Sequence, residues 1–337
     1  LYVRVVMMVN RRTFAPDHTL RLAFAMLHTF DAAAVARLCP YDRLVDALAL
    51  GLREPITSPA RMHLDPPGDG SAFLIMPAWQ AGGLIGVKMI SVWAANAAVG
   101  KPTVTALYNV FSCVDGMPVA VIDGTELTLR RTAAAAALGA RLLARKGRVR
   151  LAVLGTGALA PEMAEAHASV LDLAGITLWG RRPDAAQRLA ETLAGRGIAA
   201  TVEQSLESAV AGADVIVAVT TASVPFIEPA WVRPGTHVGL FGAFTTAMAE
   251  AAPALFPAVS LFADTRAGVL EKGGEVAQAI AAGLITPQAI RAEFAEMVAS
   301  DKPWRVDDAE ITVLKSVGFA ALDLLAARHL LAAAAPK

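Results

Sequence analysis

Leu151-Ala-Val-Leu-Gly155-Thr-Gly157-Ala158-Leu159-Ala160-Pro161 is the stretch on which the reading of the fold turns. Val149 to Leu154 predicts a buried strand, and the residues after it spell GxGxxA at the entry to a helix. In that pattern Gly155 permits the tight turn and Gly157 lets the backbone approach a pyrophosphate. The small side chain of Ala160 allows the helix to pack on the strand. Pro161 suits a first helical turn, in which the backbone N–H groups around Ala158 and Leu159 have no helical partner and can face phosphates. A strand before, a helix after and a second strand at the proper distance make this a dinucleotide-binding unit.

The second strand, Ile176 to Trp179, ends in Trp179-Gly180-Arg181-Arg182, where an NAD-binding unit would carry an acidic residue for the ribose 2′-hydroxyl. Two guanidinium groups suit a 2′-phosphate, so NADPH is expected as cofactor, with NADH a weaker possibility. The other reading open here is a solvated loop, with Asp184 capping the next helix. Beyond a later strand, Val215 to Val219, Thr220 and Thr221 offer hydroxyls near the carboxyl end of the sheet, where dinucleotides lie; ordinary turn residues are the alternative.

Outward from this unit, strand and helix alternate from Val149 through Ser260-Leu-Phe-Ala-Asp264, which predicts a parallel sheet covered by helices. A long alanine-rich helix from Thr128 to about Lys146 precedes it. The first third differs: Asp31 caps a short helix, Pro40 opens another, and the strands Ala72 to Pro77, Gly86 to Val92, Thr105 to Val114 and Met117 to Ile122 follow. Asp115-Gly116 and Asp123-Gly124 read as turns. A last helix, Ile311 to about Ala335, stands outside the alternation and is expected to return to the first domain. Asn10-Arg11-Arg12-Thr13-Phe14 has the paired arginines of a twin-arginine export signal, but Ala15-Pro16-Asp17-His18 stands where an apolar run should start, so residues 1–29 read as an N-terminal extension.

The chain has 337 residues, beyond the size at which a single core usually stops growing, so two domains are expected. Thirty basic residues balance thirty acidic ones, and no basic block appears, which argues against a nucleic-acid or polybasic membrane partner. Mean hydropathy is +0.50, yet the apolar stretches are broken, by Arg141 in one and by Asp323, Arg328 and His329 in the last. No bilayer-spanning run remains. Two cysteines, Cys39 and Cys113, make no disulfide framework, and six histidines show no HxxxH or HxH spacing. A cytoplasmic protein without a metal centre is expected.

Several ordered motifs resemble the ornithine cyclodeaminase/mu-crystallin family over about Phe30 to Ala327. They are Gly86-Val-Lys88-Met-Ile-Ser-Val, Gly100-Lys-Pro102-Thr103, Asp123-Gly-Thr-Glu-Leu-Thr-Leu-Arg-Arg131-Thr132-Ala-Ala and Thr312-Val-Leu-Lys-Ser316-Val-Gly318. The resemblance implies an α/β fold with a Rossmann domain (residues 131–310) inserted into a discontinuous α+β substrate and dimerisation domain (30–130 and 311–337). It implies a homodimer as well. Arg61 then matches the arginine that grips a substrate carboxylate, Lys88 the active-site lysine and Arg131 a second carboxylate ligand that also reaches the cofactor. Thr103 matches a position at the nicotinamide, and Thr132 one near the phosphates. Read without the family, Arg61 is a loop residue, Lys88 a strand-end residue reaching water and Arg131 an ion-pair partner at a helix end.

Family members include cyclodeaminases, alanine dehydrogenases, cyclic ketimine reductases and a thyroid-hormone-binding crystallin, so the chemistry must come from individual positions. Gly239-Leu-Phe-Gly242-Ala-Phe244-Thr-Thr-Ala-Met-Ala-Glu250 places Phe244 where cyclodeaminases carry an aspartate that serves proton transfer and water attack. A phenylalanine does neither. Phe30-Asp-Ala-Ala-Ala-Val-Ala and Pro40-Tyr-Asp-Arg-Leu resemble the bacterial pyrroline-2-carboxylate reductases of the family. The expected activity is NADPH-dependent reduction of a cyclic ketimine carboxylate, with Phe244 against the ring. An alanine-type dehydrogenase, a cyclodeaminase and a crystallin-like binding protein are the alternatives. Asp264, near the nicotinamide or capping a turn, and Glu271-Lys-Gly-Gly-Glu275, a solvated loop with a helix start, complete the reading.

Overall fold

Short runs of β-branched and aromatic residues separated by turns build the first sheet, and their order in space follows from hairpin connections. The computed structural model describes residues 27–67 and 71–335, so the paired arginines at 11 and 12 lie outside the described residues. Strand β1 (His28–Phe30) is followed by helices α1 (Ala32–Leu38) and α2 (Tyr41–Gly51), then strands β2 (Met62–Leu64), β3 (Ser71–Trp79), β4 (Leu84–Trp93), β5 (Val104–Ser112) and β6 (Pro118–Asp123). The sheet order is β1-β6-β5-β4-β3-β2, antiparallel throughout except for the β1–β6 pair. His28 and Thr29 thus belong to the sheet edge rather than to an extension. Asp31 caps α1 as expected, its carboxylate accepting the Ala34 N–H at 2.8 Å.

Asp123-Gly124 is a correction: instead of a turn, it starts α3 (Gly124–Leu143), with the Asp123 carboxylate accepting the Glu126 N–H at 2.8 Å. Aspartate at the cap with glutamate three residues on is a helix-start pattern that outweighs the turn preference of Asp-Gly. Residues from Arg130 to Ala140 on α3 are all buried, and the helix touches β5 of the first sheet as well as the strand His237–Leu240 of the second. Its alanine run is what lets neighbours approach on every side.

The second sheet holds β7 (Val149–Leu154), α4 (Leu159–Ala168), β8 (Leu173–Trp179), α5 (Pro183–Gly195), β9 (Thr201–Val202), α6 (Leu206–Gly212), β10 (Val215–Ala218), β11 (His237–Leu240), β12 (Ser260–Ala263), α7 (Arg266–Lys272), α8 (Gly274–Ala281), β13 (Ile290–Glu293), α9 (Phe294–Ala299) and β14 (Thr312–Lys315). All its strands are parallel, in the order β13-β12-β14-β11-β10-β7-β8-β9. Order reverses between β7 and β10, the crevice where an open parallel sheet binds dinucleotides.

The chain end corrects the sequence reading again. Thr312–Lys315 is not helix but a fully buried strand wedged between β11 and β12, and only then does α10 (Ala320–Ala334) begin. Four residues carry too little periodicity to announce a strand; the slot in the sheet imposes it. Helix α10 does return to the first sheet, packing on α2, α3, β3 and β4, with Ala320 and Leu324 against Met76 and Ala78. The final segment therefore completes both layers. Among the described residues no helix is long and apolar enough to cross a membrane.

The Gly86-Val-Lys88 motif has a packing reason for its glycine: a Cβ at Gly86 would overlap the hydroxyl and ring edge of Tyr108, a fully buried side chain on β5. Gly86→Ala is expected to cost about 1–3 kcal/mol through overpacking. Chemical denaturation measures it, and the cost should shrink in a Tyr108→Ala background, where the ring is gone.

Candidate active site

A groove of about 740 Å³ opens at the carboxyl ends of β7, β8 and β10, lined by Gly155, Thr156, Gly157, Trp179, Gly180, Arg181, Arg182, Thr220 and Thr221 among others. Gly155 has φ +129°, and a Cβ there would lie 2.9 Å from the Val219 carbonyl oxygen, so only glycine fits the turn beside β10. Gly157 differs in kind: a Cβ there would meet nothing within 4 Å. Its missing side chain leaves open space next to the start of α4 rather than relieving a protein contact, which suits close approach of a pyrophosphate. Ala158 stands at the N-cap of α4, Leu159 opens the helix, and Ala160 is fully buried against the core, as the motif requires. This groove fits a dinucleotide on the chain's own geometry.

At the end of β8, Trp179 stacks on Phe226 with ring centroids 5.7 Å apart and forms one wall. Arg181 and Arg182 are exposed at the rim and form no ion pair among the described residues. Asp184 sits inside the first turn of α5 and pairs with Arg188 at 2.8 Å, so it neither caps the helix nor claims the two arginines.

Thr220 is held from below by a residue that sequence reasoning passed over. One carboxylate oxygen of Glu250 accepts the Thr220 N–H at 2.6 Å and its hydroxyl at 3.0 Å, and the other accepts the Gly242 N–H at 2.8 Å. Glu250 is fully buried, and burial pushes its carboxyl up to about 7 against the opposing pull of Lys315 and these N–H donors. Lys315 pairs with Glu275 at 2.9 Å and donates to the Ala243 carbonyl at 2.6 Å. The expected helix start is α8, but Glu275 in its first turn is buried rather than solvated, and Glu271 and Lys272 end α7 at the wall of a second cavity instead of forming a loop.

That second cavity, about 230 Å³, is lined by Arg61, Met76, Glu271, Lys272, Gly318 and Phe319 among others. Arg61 is half-buried and its Nη2 donates to the Val317 carbonyl at 3.4 Å. Beside Met76, its cross-strand neighbour on β3, lies Lys88, fully buried with Nζ 2.8 Å from the Asp323 carboxylate. Burial pushes the Lys88 ammonium down to about 8, with Asp323 opposing and Arg131 and Arg61 adding to the fall. Arg131 donates from Nε to Asp323 at 3.0 Å. Its Nη atoms lie 3.0 and 3.2 Å from where a Cβ of Gly318, a lining residue, would stand. Arg61, Lys88, Arg131 and Lys272 stand around the cavity against Asp323, Glu271 and Asp264, a small excess of positive charge that suits a carboxylate.

The structure brings Arg61, Lys88 and Arg131 into one region. Lys88 does not reach bulk water, being fully buried, and Arg131 lies inside α3 rather than at its end, although it is an ion-pair partner, of Asp323. Other candidates stand apart. Thr103 pairs through its carbonyl with the Trp93 N–H and lines neither cavity. Thr132 is buried in α3, where its hydroxyl donates to the Thr128 carbonyl at 2.6 Å. Phe244, expected against a substrate ring, is 48% exposed and lines neither cavity, because Gly242 and Ala243 are the residues of its loop held inward. Asp264 does something else again: its carboxylate accepts the N–H groups of Thr265, Val317 and Gly318 and the Ser316 hydroxyl, fastening the segment that links β14 to α10. Asp323 was visible in sequence only as a charge breaking an apolar run, which is the signal that could have found it.

A family model described as the ornithine cyclodeaminase/mu-crystallin family matches residues 33–335. The chain belongs to that family. Among family relatives, the Δ1-pyrroline-2-carboxylate reductase of Paracoccus denitrificans is 37% identical over 287 residues, covering 85% of this chain and 90% of that protein. The Δ1-pyrroline-2-carboxylate reductase of Thermococcus litoralis, solved with NADH and L-proline, superposes with a TM-score of 0.85 at 26% identity, over 91% of this chain and 97% of that one. An archaeal alanine dehydrogenase dimer with bound NAD gives a TM-score of 0.84 at 28% identity, over 91% and 96% of the two chains.

Replacing Glu250 by glutamine sets an amide N–H against a backbone N–H of Thr220 or Gly242. Glu250→Gln is expected to loosen the Thr220 loop and weaken dinucleotide binding about tenfold, the loss of roughly one charge-assisted hydrogen bond. Titration of nicotinamide fluorescence reads this directly, and unchanged affinity would show that the carboxylate does not shape the groove.

Proposed function

We propose that this member of the family reduces the C=N bond of a cyclic α-imino carboxylate, Δ1-pyrroline-2-carboxylate or its six-membered homologue Δ1-piperideine-2-carboxylate, to L-proline or L-pipecolate. The observation that carries the reading is the cationic cavity, with Arg61 on its wall and Lys88 and Arg131 next to the lining residues Met76 and Gly318. When bound, the reduced nicotinamide supplies the hydride that adds to the imine carbon. Arg61 and Arg131 hold the carboxylate through forked donors, which fixes the planar ring edge-on. Lys88 holds a proton for the imine nitrogen, and protonation makes the carbon electrophilic. Phe244 supplies no carboxylate for the water attack that deamination needs, which disfavours a cyclodeaminase.

NADPH is the preferred cofactor in this reading and NADH the weaker one. Support comes from Arg181 and Arg182 at the rim of the groove and from the absence of an acidic residue in Trp179-Gly180-Arg181-Arg182. The reading divides the chain as residues 30–130 with 311–337, for substrate and dimerisation, around 131–310. Strand β14 alone crosses back into the inserted sheet. A homodimer in the cytoplasm completes the picture; the archaeal alanine dehydrogenase is a dimer, and Cys39 and Cys113 are free thiols.

One experiment tests substrate and cofactor together. Loss of nicotinamide absorbance is followed with each cyclic imine, and with pyruvate plus ammonia, using NADPH or NADH, for the wild type and an Arg181→Ala/Arg182→Ala variant. Rapid turnover of a cyclic imine is expected, with the variant losing about 10- to 100-fold in kcat/KM for NADPH and little for NADH, the scale of hydrogen bonds to a charged group. Turnover of pyruvate alone overturns the imine reading. An equal loss with both cofactors overturns the NADPH assignment.

A further inference from the structure

The last helix contributes a single acid, Asp323, to an otherwise apolar first half, and that acid is fully buried. Burying a carboxylate is unfavourable unless it is paired, and Asp323 is paired twice, with Lys88 at 2.8 Å and with Arg131 Nε at 3.0 Å. Counting donors shows what this leaves over. A lysine ammonium has three N–H groups. One of those on Lys88 goes to Asp323 and a second to Thr128 Oγ1 at 3.3 Å, while the Thr128 hydroxyl proton is itself given to the Gly124 carbonyl at 2.6 Å. Apart from the second Asp323 oxygen, which lies 2.8 Å from Nζ without forming a hydrogen bond, the third N–H has no acceptor among the described residues. Arg131 uses only Nε, so both Nη groups, beside the cavity-lining Gly318, are likewise uncommitted among the described residues.

We propose that Asp323 is the positioning residue of the reduction: by taking the inner donors of Lys88 and Arg131, it turns the remaining N–H of one and the forked Nη pair of the other toward the imino carboxylate. The proposal rests on the imine-reductase reading and adds a residue from the far end of the chain. It carries an electrostatic consequence as well. Lys88 faces Arg131 and Thr128 from α3, Asp323 from α10, Tyr108 across the strand pair β4–β5 and Arg61 from the segment before β2. Of these only Asp323 is an anion, since burial holds the Tyr108 hydroxyl well above its usual range and therefore neutral. Asp323 is what keeps a proton on Lys88 near neutral pH.

Asp323→Asn and Asp323→Glu separate this role from a structural one. In enzyme labelled with 13C at the lysine ε-carbons and with no substrate present, the Lys88 titration midpoint is expected to fall by about 1–3 pH units in Asp323→Asn, the range of a lost opposite charge. It should stay near the wild-type value in Asp323→Glu. With substrate, the alkaline limb of kcat/KM moves to lower pH by the same amount in Asp323→Asn, while dinucleotide affinity stays within about twofold because the groove keeps its own contacts. A midpoint and a limb that coincide with wild type in Asp323→Asn overturn the proposal. Should that variant fail to fold, Asp323→Glu decides: it retains the charge but displaces it, so kcat falls about tenfold with the midpoint held, and an unchanged kcat overturns the proposal. Absence of imine turnover in the wild type would sink the underlying reading, while the lysine titration still decides the pairing.

Discussion

The pairing of Lys88 and Arg131 with Asp323 is the interaction on which the arrangement of this protein depends. It joins β4, α3 and α10, segments separated by 40 to 235 positions in the chain, through side chains that are all buried. Removing one partner of such a buried set leaves an unpaired charge and typically costs about 3–5 kcal/mol. The first sheet, the central helix and the chain end are consequently held in one relation, and the cavity that they border inherits a fixed set of outward donors.

A second constraint acts on the segment between β14 and α10. Strand β14 is locked into the parallel sheet, and α10 packs on the antiparallel one, so the residues between them span the two layers. Asp264 takes the N–H groups of Val317 and Gly318 and the Ser316 hydroxyl, and the Val317 carbonyl in turn receives Arg61. A carboxylate buried at the end of β12 thereby sets the position of an arginine in the other layer. Glu250 plays the corresponding part beneath Thr220. In both layers the residues that face ligand space are backed by a buried acid, a form of preorganisation in which rigid neighbours lock functional groups before anything binds.

How much of this could be read from the sequence depended on whether the signal was local. The GxGxxA turn, the strands flanking it and the Asp31 cap are decided by residues within a few positions of one another, and they appear in the structure where the spacing put them. Asp123 and Thr312–Lys315 were misread because local preferences were ambiguous: Asp-Gly serves both turns and helix starts, and four residues fit a strand or a helix. Asp323, Glu250 and Asp264 gain their meaning only when distant segments meet, so single-sequence patterning gave them no role or an undecided one. The family motifs found Lys88 and Arg131 without revealing that both lean on the same acid. Phe244 shows the opposite limit, since its place in a motif gave no hint that its ring would face solvent.

The central claim is that hydride passes from nicotinamide to the carbon of a C=N bond held beside Lys88. The most direct measurement uses NADPH deuterated at both C4 positions with Δ1-pyrroline-2-carboxylate and locates the label in the product by NMR. The account predicts L-proline carrying one deuterium at the α-carbon and none elsewhere. Proline without deuterium at that carbon, or no proline at all, would contradict it.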